Sequence, residues 1–229
     1  MTDMSRMPLM AMLRVRGIGG AAGGSAGRRG PPVDLRAEAM NHILLVVDNP
    51  ERWKIDLPGV TVVTARQYLT DPQVLRLRNC RVYNLCRHYR YQSAGYYVSL
   101  LAEARGHRPV PKITTLQDLK TTSIYRDVSN DLDELIQKSL APLQSDAFTL
   151  SIYFTQNVAK RYERLARQLF NLFPAPLLRA EFKRDEERVW TLSNISPISA
   201  SGIPPEHQEM VVQFARDYFS RGNLHVRRR

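Results

Sequence analysis

The apolar residues of this chain change their spacing about halfway along it. Ile43-Leu44-Leu45-Val46-Val47 is an unbroken apolar run closed by Asp48-Asn49-Pro50. Such a run reads as a strand buried on both faces, the pattern of parallel sheets. Pro58-Gly59 marks a turn. Val60 to Thr64 predicts a second strand, and Ala65 to Leu69 one helical turn closed by Asp71-Pro72. Arg81 to Cys86, with Val82, Tyr83 and Leu85, has the β-propensity of a third strand. A polar, basic turn follows from Arg87 to Gln92. Ser93 is a good N-cap, because its hydroxyl can accept a free amide of the next turn. Ala94, Tyr97, Val98, Leu101 and Ala104 then recur at helical spacing, which predicts one buried stripe with Tyr97, like Tyr83, in the core. Gly106 stands where a left-handed C-cap belongs. Val110 to Ile113 predicts a fourth strand and Thr114 to Leu119 a short helix. Ser129 predicts a cap for a helix through Leu140, with Leu132, Leu135, Ile136 and Leu140 on one face and Pro142 at its end.

In the second half the period becomes two. Phe148, Leu150, Ile152 and Phe154 alternate with polar residues or Tyr153, as in a half-buried strand. A helix is predicted from Val158 to Phe173 with Tyr162, Leu165, Leu169 and Phe173 as its stripe. Leu178, Ala180 and Phe182 alternate next. A charged turn, Arg184-Asp185-Glu186-Glu187, leads to a returning strand from Arg188 to Ile195, which reads as a hairpin. The last helix begins near Pro205, carries Val211, Phe214, Ala215, Tyr218 and Phe219 on one face, and is closed by Gly222. The fold class is therefore α/β passing to α+β. A small, mainly parallel sheet occupies the first half, and a mixed or antiparallel sheet with helices the second. From Asn41 to Val226 this is either one domain or two packed subdomains, 41–142 and 147–222. No internal repeat of domain-building length is visible.

Composition alters this picture chiefly at the ends. Residues 1–39 are low-complexity, rich in Gly, Ala, Arg and Pro, with too little apolar surface to order themselves. Six of the seven methionines fall within the first forty residues, so Met40 is expected to be the working initiator. The glycines from Gly17 to Gly20 fall short of a dinucleotide fingerprint, since no helix follows them. Net charge is +11 over 229 residues. Six arginines against three acids lie in the first 39 residues, and Arg227 to Arg229 form a basic tail. Such charge favours acidic partners. No run of eighteen apolar residues exists to span a membrane. Two cysteines, Cys80 and Cys86, exclude a disulfide scaffold. On one strand they would stand roughly 20 Å apart, too far to bond. Reduced thiols point to the cytoplasm. Neither HExxH nor paired Cys/His spacing is present, so no metal site is expected.

The chemistry concentrates between Cys80 and Pro111, which holds both cysteines, two of the five histidines and five of the ten tyrosines. In open α/β sheets, ligands bind outside the carboxyl ends of the strands. Asn84, Cys86, Tyr89, Tyr91 and Gln92 lie at or just after such an end. Tyr96, Ser99 and Glu103 run down a second helix face, and Arg105 sits at the helix end, where a cation suits the dipole. Cys86 is the one candidate nucleophile: the adjacent Arg87 and His88 would lower its pKa, with His88 or His107 as base. Against this stands a buried structural thiol. Arg87, Arg90, Tyr89 and Tyr91 interleave cations with aromatics in the manner of single-strand binders. Arg161, Arg164 and Arg167 form a second basic stripe, diluted by Glu163.

The segment NLCRHYRYQSAGYYVSLLAEARGHRPVP resembles the signature of the domain found N-terminal to RimK-like ATP-grasp ligases, and the resemblance extends over roughly Asn41 to Val226. Asn84, Cys86, Tyr89, Tyr91, Gln92, Gly95, Tyr96, Tyr97, Ser99, Glu103, Ala104 and Arg105 are the matching positions. The resemblance implies a module working beside an ATP-dependent carboxylate–amine ligase in peptide or amino-acid modification. The sequence departs from that architecture by ending where the ligase domain would begin. The expectation is an accessory or substrate-recruiting domain, not a complete enzyme. It would bind an amino-acid or peptide-like ligand through Asn84, Tyr89, Tyr91, Gln92, Tyr96, Ser99, Glu103 and Arg105. ATP and Mg would enter only through a partner ligase in trans. The alternatives are a single-stranded nucleic-acid-binding protein and a small thiol enzyme using Cys86 and His88.

Overall fold

The computed structural model describes residues 42–226. The readings made for residues 1–39, for Met40 and for the 227–229 tail lie outside the described residues. The first half begins with β1 (Ile43–Val47), all five residues buried, and β2 (Val60–Thr64). α1 (Ala65–Thr70) follows directly, opened by a capping box in which Thr64 and Gln67 satisfy each other's backbone amides. A second short helix, α2 (Pro72–Leu75), stands where the pattern predicts only a stop. Asp71 accepts the Gln73 amide and Pro72 occupies the first turn, so the breaker is also a start signal.

β3 (Arg81–Asn84) is two residues shorter than the sequence suggests: the Leu85 amide makes the last bond to β1, on the Val46 carbonyl at 2.8 Å, and Leu85 and Cys86 stay buried beyond the strand. α3 (Ala94–Ala104) is capped by Ser93 as expected. Gly106 has φ +71°, and the Gly106 and His107 amides donate to the Glu103 and Ala102 carbonyls, closing a Schellman motif. β4 (Arg108–Val110) starts two residues earlier than predicted, and Ile113 instead opens α4 (Ile113–Asp118). The four strands are parallel in the order β2-β1-β3-β4, with Leu45 opposite both Val62 and Tyr83. One face of β1 packs Leu44 and Val46 against Tyr68, Val82, Val98 and Ala102. The other packs Leu45 and Val47 against Trp53, Tyr83, Phe154 and Phe219. Burial on both faces is what the unbroken apolar run requires.

Two helices, α5 (Thr122–Asp131) and α6 (Asp133–Leu140), replace the single helix expected after Ser129. They lead into an antiparallel sheet of β5 (Ala147–Tyr153), β6 (Leu177–Arg184) and β7 (Trp190–Pro197), with α7 (Glu163–Leu172) between β5 and β6. Ser129 lies inside α5, and its Oγ accepts the Leu192 amide at 3.1 Å. Gln137 of α6 accepts the Trp190 amide at 3.0 Å and donates to the Trp190 carbonyl at 2.8 Å. Both side chains thus supply the outer edge of β7 with the partners that another strand would give. The predicted cap is a strand partner because the serine hydroxyl meets a buried donor that has no other acceptor.

The α7 stripe of Tyr162, Leu165, Leu169 and Phe173 is buried with Ile136, Leu150, Leu178, Phe182 and Trp190. α8 (Gln208–Val226) runs through Gly222 instead of stopping there. A single glycine costs a helix only about 1 kcal/mol, and ends it only when its φ turns positive. Val211, Ala215 and Phe219 of α8 pack in one cluster with Leu45 and Tyr83 from the parallel sheet and Tyr153 and Leu177 from the antiparallel one.

Candidate functional site

The strand order places β1 between β2 and β3, so the chain turns to opposite sides of β1 on successive crossovers. The crevice outside the carboxyl ends of β1 and β3 is the switch point where such sheets take ligands. Asp48 follows β1, and the Leu85–Gln92 loop follows β3.

Asn84 organises the loop. It is wholly buried, and its Nδ2 donates to the Gly95 carbonyl at 2.7 Å and to Ser99 Oγ at 3.0 Å. Its Oδ1 accepts the Cys86 amide at 3.1 Å. Tyr89 donates its hydroxyl to the Asn84 carbonyl at 2.7 Å. Ser99, also wholly buried, passes its own proton to the Pro111 carbonyl at 2.8 Å. Ser93 Oγ accepts the Tyr96 amide and donates to the His88 carbonyl at 2.8 Å. Gly95 must be glycine: a Cβ there would stand 2.3 Å from the His88 carbonyl oxygen and 2.8 Å from Cys86 Cβ. Every polar atom of this set is satisfied within the protein, so Asn84, Tyr89 and Ser99 hold the loop's shape and present no free hydrogen-bonding group.

The lower half of α3 is also engaged in structure. Glu103 Oε1 accepts the Ile113 amide at 3.2 Å, serving α4, which has no cap of its own. Arg105 donates to the Tyr68 carbonyl at 3.0 Å, with its guanidinium 5.1 Å from the centre of the Tyr68 ring. It caps the end of α1.

Tyr91 and Gln92 form the outward rim. Tyr91 is 71% exposed, and Gln92 takes a left-handed φ of +66° that turns the chain into the helix cap. The Tyr91 and Tyr96 rings meet edge to face at 5.4 Å, and Tyr96 meets Tyr97 at 5.7 Å. Arg87 and Arg90 are exposed beside them in sequence. Tyr97 is therefore an exposed rim residue and not the core aromatic that the stripe predicts. The buried face of α3 is Gly95, Val98, Ser99 and Ala102.

Cys86 is 2% exposed, and burial, with Asp48 adding to it, pushes its thiol up to about 12. Burial likewise raises Cys80 to about 11. At neutral pH both are thiols, and a nucleophile needs the thiolate. Arg87 and His88, which adjacency suggests as activators, face solvent. His107 is bonded to Tyr68 and Leu77 instead. The loop therefore supplies no activated cysteine. Burial, then Cys86 and Asp48, holds the Tyr89 hydroxyl well above its usual range. Asp48 is the residue that pattern reading passed over, although it stands where a ligand-facing acid stands in such sheets, directly after a central strand.

Among the described residues no cluster of His, Cys, Asp and Glu is placed to hold a metal, and no helix is long and apolar enough to cross a membrane. Nor does the donor set fit a nucleotide triphosphate: Asp48-Asn49-Pro50 follows the central strand where a phosphate cradle would need glycine amides. ATP and Mg do not fit this loop.

A four-stranded parallel sheet and a three-stranded antiparallel sheet, each packed with helices, define a mixed α/β fold. The family model of the RimK-like ATP-grasp N-terminal domain matches residues 65–214, and the chain belongs to that family. No curated protein matches the sequence. Among solved structures, it is similar to the macrocyclase MdnC bound with precursor peptide MdnA from Microcystis aeruginosa MRC. The identity is 7% and the TM-score 0.38, over 76% of this chain and 99% of that one.

Proposed function

We propose that the chain is an accessory, substrate-recruiting domain that serves an ATP-grasp ligase supplied in trans and holds an amino-acid or peptide-like ligand on the rim of the 85–93 loop. One observation carries this reading: Tyr91, a large aromatic side chain, stands 71% exposed on a loop that Asn84, Ser93 and Ser99 fix from beneath. Exposed aromatics on a rigid support are the usual anchors of recognition surfaces, because little side-chain freedom is lost on binding. Tyr91, Tyr96 and Tyr97 supply the apolar contact. Gln92 supplies directional hydrogen bonds, and Arg87 and Arg90 attract a carboxylate. Asn84, Tyr89, Ser99, Glu103 and Arg105, which the sequence nominates as contacts, act here as the support. Membership of the family favours the ligase context, with ATP and Mg held by the partner. Two unpaired buried thiols suit a reducing cytoplasm.

A thermal-shift screen of the full chain tests this. The panel holds amino acids, short peptides, nucleotides with magnesium, and single-stranded oligonucleotides at two salt levels. A ligand of the native state raises Tm by mass action. The expected result is a shift with an amino acid or peptide that Tyr91→Ala and Gln92→Ala abolish while leaving the unliganded Tm in place. A shift confined to oligonucleotides and fading with salt replaces the reading with nucleic-acid binding.

A further inference from the structure

A second surface, on α7 and the turn before it, has no part in the tyrosine rim. Lys160, Arg161, Glu163, Arg164, Arg167 and Gln168 line a cavity of about 550 Å³. A neighbouring one of about 290 Å³ is lined by Leu135, Lys138, Ser139, Pro142 and the same Arg161 and Arg164. The two arginines border both hollows, which adjoin along α7 as one shallow basic groove, with α6 lining only the smaller part. Five cations face it against a single carboxylate. That carboxylate, Glu163, is already paired with Arg167 at 2.7 Å. Lys138, Lys160, Arg161 and Arg164 have no acidic partner among the described residues. Arg161 is held in place, its guanidinium lying 4.6 Å over the Tyr162 ring.

Helical spacing gathers these cations on one side while Leu165, Leu169 and Phe170 face inward. Like charges packed this way repel, and a solvated helix face ordinarily interleaves acids among them. Here the imbalance is confined to one solvent-open groove, whose larger hollow, about 550 Å³, is within the range of ordinary ligand sites. Guanidinium forks suit carboxylates and phosphates alike. The rest of the lining separates the two. No aromatic ring is among the lining residues, so there is no platform on which bases could stack. Gln168 and Ser139 offer hydrogen bonds to a peptide backbone, and Leu135 with Pro142 forms an apolar wall at one end.

We propose that this groove binds an extended acidic peptide segment. Its carboxylates would lie against Lys160, Arg161 and Arg164, and an apolar side chain against Leu135 and Pro142.

Fluorescence anisotropy with the full chain and a short, fluorescein-labelled, glutamate-rich peptide carrying one leucine is the test. A single-stranded oligonucleotide of matched charge is the competitor. The peptide is expected to bind, to weaken as salt rises, and to weaken about tenfold, or about 1.4 kcal/mol, in Arg164→Glu. Lys160→Glu acts in the same direction. Both replace exposed side chains, so the fold is kept, and an unchanged Tm verifies this. The same peptide without its leucine binds more weakly. Arg66→Glu, a charge reversal at an exposed position of α1 outside both surfaces, leaves the peptide affinity unchanged, which separates this site from general charge attraction. The inference is overturned if no peptide binds or if binding ignores the reversals at both Arg164 and Lys160. It is equally overturned if the matched oligonucleotide displaces the peptide and binds tighter, which makes the groove a nucleic-acid site.

Discussion

The Tyr68 hydroxyl lies 3.0 Å from Nδ1 of His107, and the ring's second contact fixes which of the two gives the proton. The other ring nitrogen, Nε2, is 3.1 Å from the Leu77 carbonyl, which can only accept. Nε2 therefore carries the proton, and Nδ1 receives the one from Tyr68. The neutral imidazole joins α1, the segment before β3 and the end of α3 in a single buried bridge.

The bridge makes stability pH-dependent. Burial, followed by the charges of Arg105 and Arg78, lowers the His107 pKa below its ordinary 6.5. In the unfolded chain the ring protonates first as pH falls, so the unfolded state binds more protons there. The contribution is fully present above about pH 6.5 and is lost as acidification proceeds towards the folded pKa. Urea denaturation of the wild type at neutral and mildly acid pH, beside His107→Gln, checks this. The variant is expected to lose about 1–3 kcal/mol at neutral pH. It should also show a shallower loss between about pH 6.5 and pH 5. Equal slopes would exclude the role.

Burial raises Tyr68 to about 12, against an ordinary 10.0. The neutral phenol is therefore the folded form, and its contribution holds below about pH 10 and is lost as pH rises through the folded value. Ultraviolet titration of Tyr68→Phe against the wild type should remove one late-ionising phenol. An unchanged titration curve would count against it.

Asn84→Ala is expected to be the most damaging single change in the loop. It leaves the Gly95 carbonyl, Ser99 Oγ and the Cys86 amide without their partner in a sealed site. The loss should be about 2–4 kcal/mol, since each buried orphan costs about 1–3 kcal/mol and the loop relaxes in part. Tyr91→Ala, by contrast, should change stability by less than about 0.5 kcal/mol. Chemical denaturation of the pair distinguishes support from rim, and similar losses in both would abolish the distinction.

Gly95→Ala would drive a methyl into the His88 carbonyl and towards Cys86. The expected cost is about 1–3 kcal/mol, with movement of the loop that carries Tyr91. A fall in Tm together with changed tyrosine fluorescence is the predicted pair of signals. A stable variant with an unaltered spectrum would mean that the helix does not approach the loop as described.

Both cysteines should resist thiol reagents in the folded state at neutral pH and react at once in denaturant, since only the thiolate attacks. Labelling with a chromogenic disulfide reads this directly. Prompt reaction of Cys86 in the native protein would restore the thiol-enzyme reading.

Much of the fold is legible in the sequence because burial there follows hydropathy. β1 and β2 end where their apolar runs end, and the α7 stripe is the one its period gives. α3 is different. Its apolar spacing favours Ala94, Tyr97, Leu101 and Ala104, yet the helix packs by Gly95, Ser99 and Ala102 beside Val98. Small residues allow the close approach that Asn84 demands, and Ser99 is buried because its hydroxyl is matched on both sides. Hydropathy carries neither fact, since both depend on a partner distant in the chain. For the same reason Glu103 and Arg105 read as ligand contacts, while their partners are the start of α4 and the end of α1. Ser129 reads as a cap because its true partner, Leu192, lies far away in sequence.

The side-chain partners on β7 have a consequence for how the protein fails. While α5 and α6 are seated, Ser129 and Gln137 occupy the outer edge of that strand. Should the helices lift away, the strand would offer free amides and carbonyls to any chain nearby, a second copy included. The helices therefore act as a guard against self-association.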